Sequence, residues 1–328
     1  MPRRLSNSWL AIRLILAAVG MGVVVMALIG YATWRSIERV TVAASPATGE
    51  EAATGTGLLH TADGSIPDVM LLVGSDSRQG LSNLQNFGEF EGARADVIIA
   101  TLRRDDQTTL LSIPRDLYVD DGCGGGKHRI GDALAGCDGQ NGLSNLVDEA
   151  ERLLGVPIDH AVLVDLAGFQ AIVDGLDGYE ICVQNPMRDL KSGLDLGSGC
   201  TVADGAQTLA WLRSRQTEEL VDGEWRTVEG VSDLERNRRQ RLFLQDLIGR
   251  LGSVRNPARL LLMTRGIAPF LVMDSQLALA DAAGWAWDLR GGEVTHAEIP
   301  VEYHTTESGQ SVLVPTGDVT VLVDSILS

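Results

Sequence analysis

"DVIIATLRRDDQTTLLSIP", Asp96–Pro114, decides the fold. Two apolar, β-branched runs, Asp96–Leu102 and Thr108–Pro114, flank the polar turn Arg104–Gln107. Such a pattern predicts a hairpin of central strands. Upstream, "VMLLVG" (Val69–Gly74) reads as a further buried strand ended by glycine. Downstream, "GLSNLVDEAERLLG" (Gly142–Gly155) has apolar residues at 143, 146, 147, 150, 153 and 154, a helical period closed by glycine. A strand at Ala161–Leu166, a helix at Ala167–Leu176 and a strand at Tyr179–Val183 follow. Asp204–Trp211 reads as a helix that gives way to an extended "LRSR". Further helices are expected at Asp233–Leu251, with Asp233 as N-cap, at Pro257–Ile267 and around Leu277–Leu289, and strands near Glu293–Pro300 and Ser311–Pro315. Strands and helices interleave throughout, which predicts one α/β domain, residues 62–328, with a central mixed β-sheet flanked by helices.

The N-terminus sets the expected compartment. Arg3, Arg4 and Arg13 precede Leu14–Trp34, an uncharged run of 21 residues. About 20 apolar residues span a bilayer, whereas a signal-peptide core is shorter, roughly 7–15. "TVAAS" (Thr41–Ser45) resembles a cleavage site, but Arg35, Glu38 and Arg39 separate it from the apolar run. The expectation is an uncleaved signal anchor at 14–34, a cytoplasmic N-terminus at 1–13, and an extracytoplasmic linker at 35–61. Within that linker, the small, polar residues 41–60 read as a flexible tether between membrane and domain. The chain would sit in the cell membrane as a single-pass protein with its domain outside.

Residues 40–328 carry 22 basic and 43 acidic side chains, a net of −21. That surface and that compartment argue against nucleic acid as a partner. Only two residues, Lys127 and Lys191, are lysine, so nearly all positive charge is arginine, a planar donor fork suited to phosphate. Cys123, Cys137, Cys182 and Cys200 all lie on the outer side, where disulfides form. Sequence neighbours, Cys123–Cys137 and Cys182–Cys200, are the expected pairs; free buried thiols are the alternative. No CxxC spacing suggests zinc.

Against this acidic background, "LERNRRQR" (Leu234–Arg241) holds four arginines. The helix's apolar stripe, Phe243, Leu247 and Leu251, extends backwards by helical steps to Gln240 or Arg239 and then Arg236. Arginines on a core-facing side need an anion, either an internal carboxylate such as Asp233 or Glu235 or a bound ligand. Other segments favour a ligand. "GSDSR" offers Asp76 and Arg78, "ARADV" offers Arg94 and Asp96, "IPRD" offers Arg115 and Asp116, and "LRSR" offers Arg213 and Arg215. Several stand at strand ends, where α/β sheets commonly bind ligands. Carboxylates beside phosphate oxygens suit Mg²⁺, and arginines around them would neutralise a pyrophosphate.

The order GSDSR, RADV, IPRD, LRSR and DLERNRRQ behind one N-terminal span resembles the LytR-CpsA-Psr family over about Val69–Leu327. The resemblance implies an outer-face phosphotransferase. Such enzymes move a glycopolymer from a polyprenyl-pyrophosphate carrier onto peptidoglycan through a phosphodiester. It implies that Asp76 and Asp96 hold Mg²⁺, and that Arg94, Arg115, Arg213 and Arg215 contact phosphates. Asp233, Arg236, Arg239 and Gln240 would complete the head-group site, with Arg78 beside them. The prenyl chain would lie in an apolar tunnel between sheet and helices. Leu143, Leu146, Val147, Phe169, Ile172, Val173, Phe243 and Leu247 are the candidate walls, and each also suits an ordinary core. Departures from the family pattern include Trp211 for tyrosine, Arg129 and Gly131 for lysine and asparagine, Asp177 for glycine, and Arg241 for a second glutamine.

Implied in the same way, a peptidoglycan hydroxyl attacks the phosphorus nearer the polymer, with Asp76 a candidate base and polyprenyl phosphate the leaving group. No GxSxG, P-loop or Cys–His signature competes. A hydrolase of polyprenyl pyrophosphate would need the same site and differs only in its acceptor. A lipid binder without catalysis would keep its function without Asp96, and a DNA-binding regulator would need more than the short basic cytoplasmic segment.

Overall fold

The computed structural model describes residues 27–42, 68–77, 93–104, 107–137, 140–228, 239, 242–243, 246–247, 249–291 and 293–328. The chain passes through helix α1 (27–36), then β1 (Glu38–Val40), β2 (Asp68–Ser75), β3 (Ala95–Arg104), β4 (Gln107–Ser112), β5 (Tyr118–Asp120) and β6 (Lys127–Arg129). Next come α2 (Gly142–Leu154), β7 (His160–Val164), α3 (Leu166–Gly175), β8 (Tyr179–Val183), β9 (Met187–Asp189), β10 (Leu194–Leu196) and β11 (Gly199–Ala203). They are followed by α4 (Gly205–Arg213), β12 (Glu218–Val221), β13 (Glu224–Thr227), α5 (helical at its described residues 239, 242–243, 246–247 and 249–253) and α6 (Pro257–Ile267). The last elements are β14 (Leu271–Asp274), α7 (Leu279–Gly291), β15 (Glu293–Glu298), β16 (Val301–Thr305), β17 (Ser311–Pro315) and α8 (Val319–Leu327).

The expected hairpin is the centre of a seven-stranded mixed sheet ordered β1-β14-β7-β2-β3-β4-β15. β3 runs antiparallel to both β2 and β4, while β2 pairs parallel with β7 and β4 parallel with β15. Alternation along β2 separates two cores, as a strand buried on both faces must. Val69, Leu71 and Val73 face α2 and α8, whereas Met70 faces Trp285 of α7. Helix α2 starts where Asn141 accepts the Ser144 N–H and stops at Gly155, whose φ of +72° suits glycine alone at low cost.

A third apolar cluster lies mainly among helices and touches the sheet at Leu271 of β14. It joins α3, α4, α5 and α6 through Val173, Leu176, Leu212, Phe243, Leu247, Met263 and Ile267. Strands β8 to β13 build small antiparallel ribbons beside it. Both expected disulfides are formed, Cys123–Cys137 and Cys182–Cys200, the second across the paired strands β8 and β11.

Two expectations change. "LRSR" is not extended throughout: α4 continues through Arg213, and only Ser214, with ψ 127°, leaves the helix. The stretch read as linker already belongs to the domain at its start. Glu38–Val40 pairs parallel with β14, Ile37 is buried among Met70, Ala268 and Leu277, and Val42 joins the α2-side core. Residues 37–42 of that stretch therefore belong to the domain, while residues 43–61, most of the expected tether, lie outside the described residues. Short, partly polar β1 carries no alternating apolar signal of its own; a vacant sheet edge recruits it. Residues 14–26 of the expected anchor lie outside the described residues, and among the described residues no helix is long and apolar enough to cross a membrane.

Candidate active site

The catalytic candidates gather where β2 ends and β3 begins. Gly74 pairs with Val97 but Ser75 pairs with Ala95, so Asp96 is the extra residue of a β-bulge. A bulge turns a side chain out of the ladder. Asp96 is accordingly exposed and forms an ion pair with Arg115, which follows β4. Gly74 suits this crossing because an added Cβ would meet the Val97 Cβ at 3.2 Å.

One step further along, Asp76 and Arg94 clasp each other's backbone. The Asp76 N–H donates to the Arg94 carbonyl at 3.0 Å, and the Arg94 N–H donates to Asp76 Oδ1 at 2.7 Å. The Arg94 side chain is held by Asp132, Nε to Oδ1 at 2.8 Å. Arg115 also reaches Asp116 at 3.5 Å, and Arg129 reaches the other oxygen of Asp116 at 3.5 Å. Burial works against the Arg115 charge, but the carboxylates of Asp96 and Asp116 outweigh it and hold its pKa above the usual arginine value. The guanidinium therefore stays charged at any working pH. Gly131 fits beneath: its N–H donates to the Arg115 carbonyl at 2.9 Å, and a Cβ there would lie 2.8 Å from the Ala95 carbonyl oxygen.

Helix α3 leads away from this strand end. Its N-cap Asp165 accepts the Gly168 N–H at 2.7 Å, and the Leu166 N–H donates to Ser77 just beyond β2. α4 packs on α3 closely enough that a Cβ on Gly205 would meet the Gln170 carbonyl at 2.4 Å. α4 carries Arg213 in its last turn, with Arg215 after it. Asp189 fixes this second arginine segment. It is 2% exposed, and its two oxygens accept the N–H groups of Lys191, Ser192, Arg215 and Gln216 and the Ser214 hydroxyl.

Arg239 joins the arginine segment to the apolar cluster. Its Nη1 donates to the Trp211 carbonyl at 2.7 Å, and its guanidinium lies 5.2 Å from the Trp211 ring centre. One and two helical turns on, Phe243 and Leu247 are buried, as the stripe requires. The Phe243 ring meets Tyr179 at 4.7 Å and Phe169 at 5.4 Å.

The structure thus brings together Asp76, Arg94, Asp96 and Arg115 at one strand end; Arg213 at the end of α4, Arg215 just after it and Arg239 on α5 form a second group on the helical side. Arg78, Asp233, Arg236 and Gln240 lie outside the described residues. The expected tunnel walls divide. Phe169, Ile172, Val173, Phe243 and Leu247 share the helical cluster, but Leu143, Leu146 and Val147 belong to the core on the α2 side of the sheet. Both sets had the right hydrophobicity; only sheet topology separates them. Asp132 and Asp189 were missed. Asp189 with Ser192 carries an Asx-turn signal, but its long-range partners at 214–216 have none.

Chemically, guanidinium groups beside carboxylates, those of Arg94 and Arg215 exposed and those of Arg115, Arg213 and Arg239 half-buried, together with an aromatic-lined apolar cluster next to Arg239, suit a ligand with a phosphate head and a hydrocarbon tail. Asp76 and Asp96 supply oxygen donors on neighbouring strand ends, the type that Mg²⁺ takes together with substrate phosphates.

Comparison with known proteins identifies the family. A model of the LytR_cpsA_psr family covers residues 40–321. The chain belongs to that family. It is 33% identical over 242 residues to the probable cell wall biosynthesis protein LcpB of Corynebacterium glutamicum, covering 70% of this chain and 54% of LcpB. It is 34% identical over 158 residues to the polyisoprenyl-teichoic acid–peptidoglycan teichoic acid transferase TagU of Enterococcus faecalis, covering 48% of each. The chain thus spans about half the length of these curated relatives. Among solved structures, the LytR-Csp2A-Psr enzyme from Actinomyces oris shares the fold with a TM-score of 0.63 and 24% identity, covering 88% of this chain and 95% of that one.

Proposed function

We propose that this family member is an extracytoplasmic phosphotransferase that moves a glycopolymer from a polyprenyl-pyrophosphate carrier onto a sugar hydroxyl of peptidoglycan. The observation that carries the reading is the Asp96 bulge, which sets a carboxylate against Arg115 at a strand end beside the apolar helical cluster. The teichoic acid transferase activity in the names of the Enterococcus faecalis and Bacillus subtilis relatives supports it. Residues 14–34 would anchor the chain in the cell membrane with residues 1–13 in the cytoplasm.

In this reading Arg94, Arg115, Arg213 and Arg215 bind the pyrophosphate oxygens, while Arg239 stands where head group gives way to tail. The acceptor oxygen bonds to the phosphorus nearer the polymer, and the bond from that phosphorus to the bridging oxygen breaks. Polyprenyl phosphate leaves with the bridging oxygen and its electron pair. The acceptor's proton passes to a nearby base, for which Asp76 is the candidate. Fixed guanidinium groups meet the charge that develops on the leaving oxygens, so no covalent enzyme intermediate is needed. Asp76 and Asp96 would hold Mg²⁺, which when bound neutralises phosphate charge.

The full chain, reconstituted in lipid nanodiscs with a polyprenyl-pyrophosphate-linked sugar and a peptidoglycan fragment, tests this. Expected is a new phosphodiester that depends on Mg²⁺ and disappears in Asp96→Ala. Release of phosphate without an acceptor product identifies a hydrolase instead. Binding without turnover, unaffected by chelation, identifies a carrier.

A further inference from the structure

The residues before β1 are sewn onto the domain. Gly30 of α1 faces Leu261 of α6, with an added Cβ 3.6 Å from the leucine methyl. Thr33 and Ile37 are buried. The Arg39 guanidinium lies 4.7 Å from the Trp34 ring centre and donates to the Leu277 carbonyl at 3.1 Å. The Ser275 N–H donates to Val40, and the Ser144 hydroxyl to Thr41. Residues 30–41 are thus held against the domain.

Register then fixes direction. Glu38 pairs with Val272, Val272 with Leu163, Leu163 with Val73, and Val73 with Ile98. Glu38 therefore stands one row short of Gly74 and Val97, where Asp76 and Asp96 begin the candidate site. β1 runs away from that end, so α1 meets the sheet at the catalytic end. Ile37 lies in one cluster with Ala268 and Gly30 lies against Leu261, so α1 runs alongside α6 in the same direction. The apolar run continues from the start of α1.

Along these two helices large apolar side chains stand on the outer surface. Leu28 is 62% exposed, Tyr31 54% and Leu262 69%. Arginines flank them: Arg35 reaches over the Tyr31 ring at 6.0 Å, Arg265 is exposed on α6, and Arg255 is exposed beside its start. Tyrosine, leucine and arginine in this order fit a membrane interface, with rings and aliphatic chains at the acyl boundary and guanidinium groups among lipid phosphates.

We infer that the face formed by α1 and α6 lies on the outer leaflet, so that the catalytic end of the sheet is held toward the bilayer at a fixed height. The inference rests on the signal-anchor reading with its outer bound moved inward: residues 27–34 belong to α1 at the membrane surface, and the crossing segment is the apolar stretch before them, Trp9–Met26, with Arg13 near its cytoplasmic end. It gives a lipid-linked pyrophosphate a route into the site without leaving the membrane, and it makes the anchor an orienting element.

The test uses the full chain in nanodiscs whose lipids carry nitroxide high on the acyl chain. One variant carries a fluorophore on Leu262→Cys; the control carries it on Gln107→Cys, exposed at the opposite end of the sheet in the β3–β4 hairpin. Expected is a loss of about half or more of the fluorescence at position 262, as for a group at the acyl boundary, and none at 107. Nanodisc-bound chain with equal signals at both positions overturns the docking while leaving the anchor intact. Label-to-label energy transfer at 262 without lipid quenching shows that a second copy covers the face, which also overturns it. A chain that never enters the nanodisc overturns the anchor reading and the docking together.

Discussion

Asp189 Oδ2 accepts the backbone N–H of Arg215 at 3.0 Å, so a buried carboxylate on β9 sets the position of an arginine in a segment 26 residues away. Burial opposes the Asp189 charge, yet donation by the Gln216 N–H, the Ser214 hydroxyl and the Lys191 and Ser192 N–H groups outweighs it and holds the carboxyl below its ordinary pKa. A depressed folded pKa contributes stability above the unfolded value of about 3.9, and that stability is lost as pH falls through the folded value. Asp189→Ala leaves several buried donors unsatisfied and should cost about 3 kcal/mol. Asp189→Asn keeps one acceptor oxygen and should partly restore both melting temperature and transfer rate. If Asp189 positions Arg215, the variant's KM for the pyrophosphate donor rises even at temperatures where it is fully folded.

Arg115→Ala should lower kcat/KM by roughly 100-fold or more, the scale of a lost charge-stabilising donor. Arg115→Lys should recover little of it, since a point charge cannot span Asp96, Asp116 and a phosphate at once. Both substitutions are at a partly exposed position, so melting temperatures close to wild type should accompany the loss. A large drop in thermal stability instead would assign Arg115 to structure.

Ile172→Trp enlarges a partly buried residue of the helical cluster, and Val147→Ile enlarges one in the α2-side core. Only the first should discriminate donors by tail length, raising KM for long polyprenyl carriers more than for short ones. Equal effects on both lengths would remove the helical cluster as the tail's seat.

Burial, with Asp148 and Asp159 nearby, raises the pKa of Glu151, whose Oε1 accepts the Ile158 N–H at 2.8 Å. A carboxyl with a raised folded pKa favours the folded state fully only below its unfolded pKa, about 4.3, and that contribution is lost as pH rises through the folded value. Glu151→Gln keeps an acceptor and removes the charge. It should melt higher than wild type at pH 7, and the difference should vanish near pH 4. A lower melting temperature at pH 7 would refute this account.

Periodicity and order along the chain were enough for β2, β3, β4, β7 and β15 of the large sheet, for α2, α3, α4, α6 and α7, for the paired cysteines and for the arginine-bearing segments, but not for β14 or α8. Local pattern is what selects strand or helix, and spacing is what makes a family motif readable. The stripe Arg239, Phe243, Leu247 was visible for the same reason. Sequence by itself could not separate Leu146 from Phe169, because equal hydrophobicity says nothing about which face of a sheet a residue packs on. Nor could it foresee that Asp96 is the extra residue of a bulge, that Asp189 would reach 214–216, or that Glu38–Val40 would join the sheet beside β14. Those relationships exist only when distant strands take a register, and register is decided by burial of whole faces rather than by any single residue.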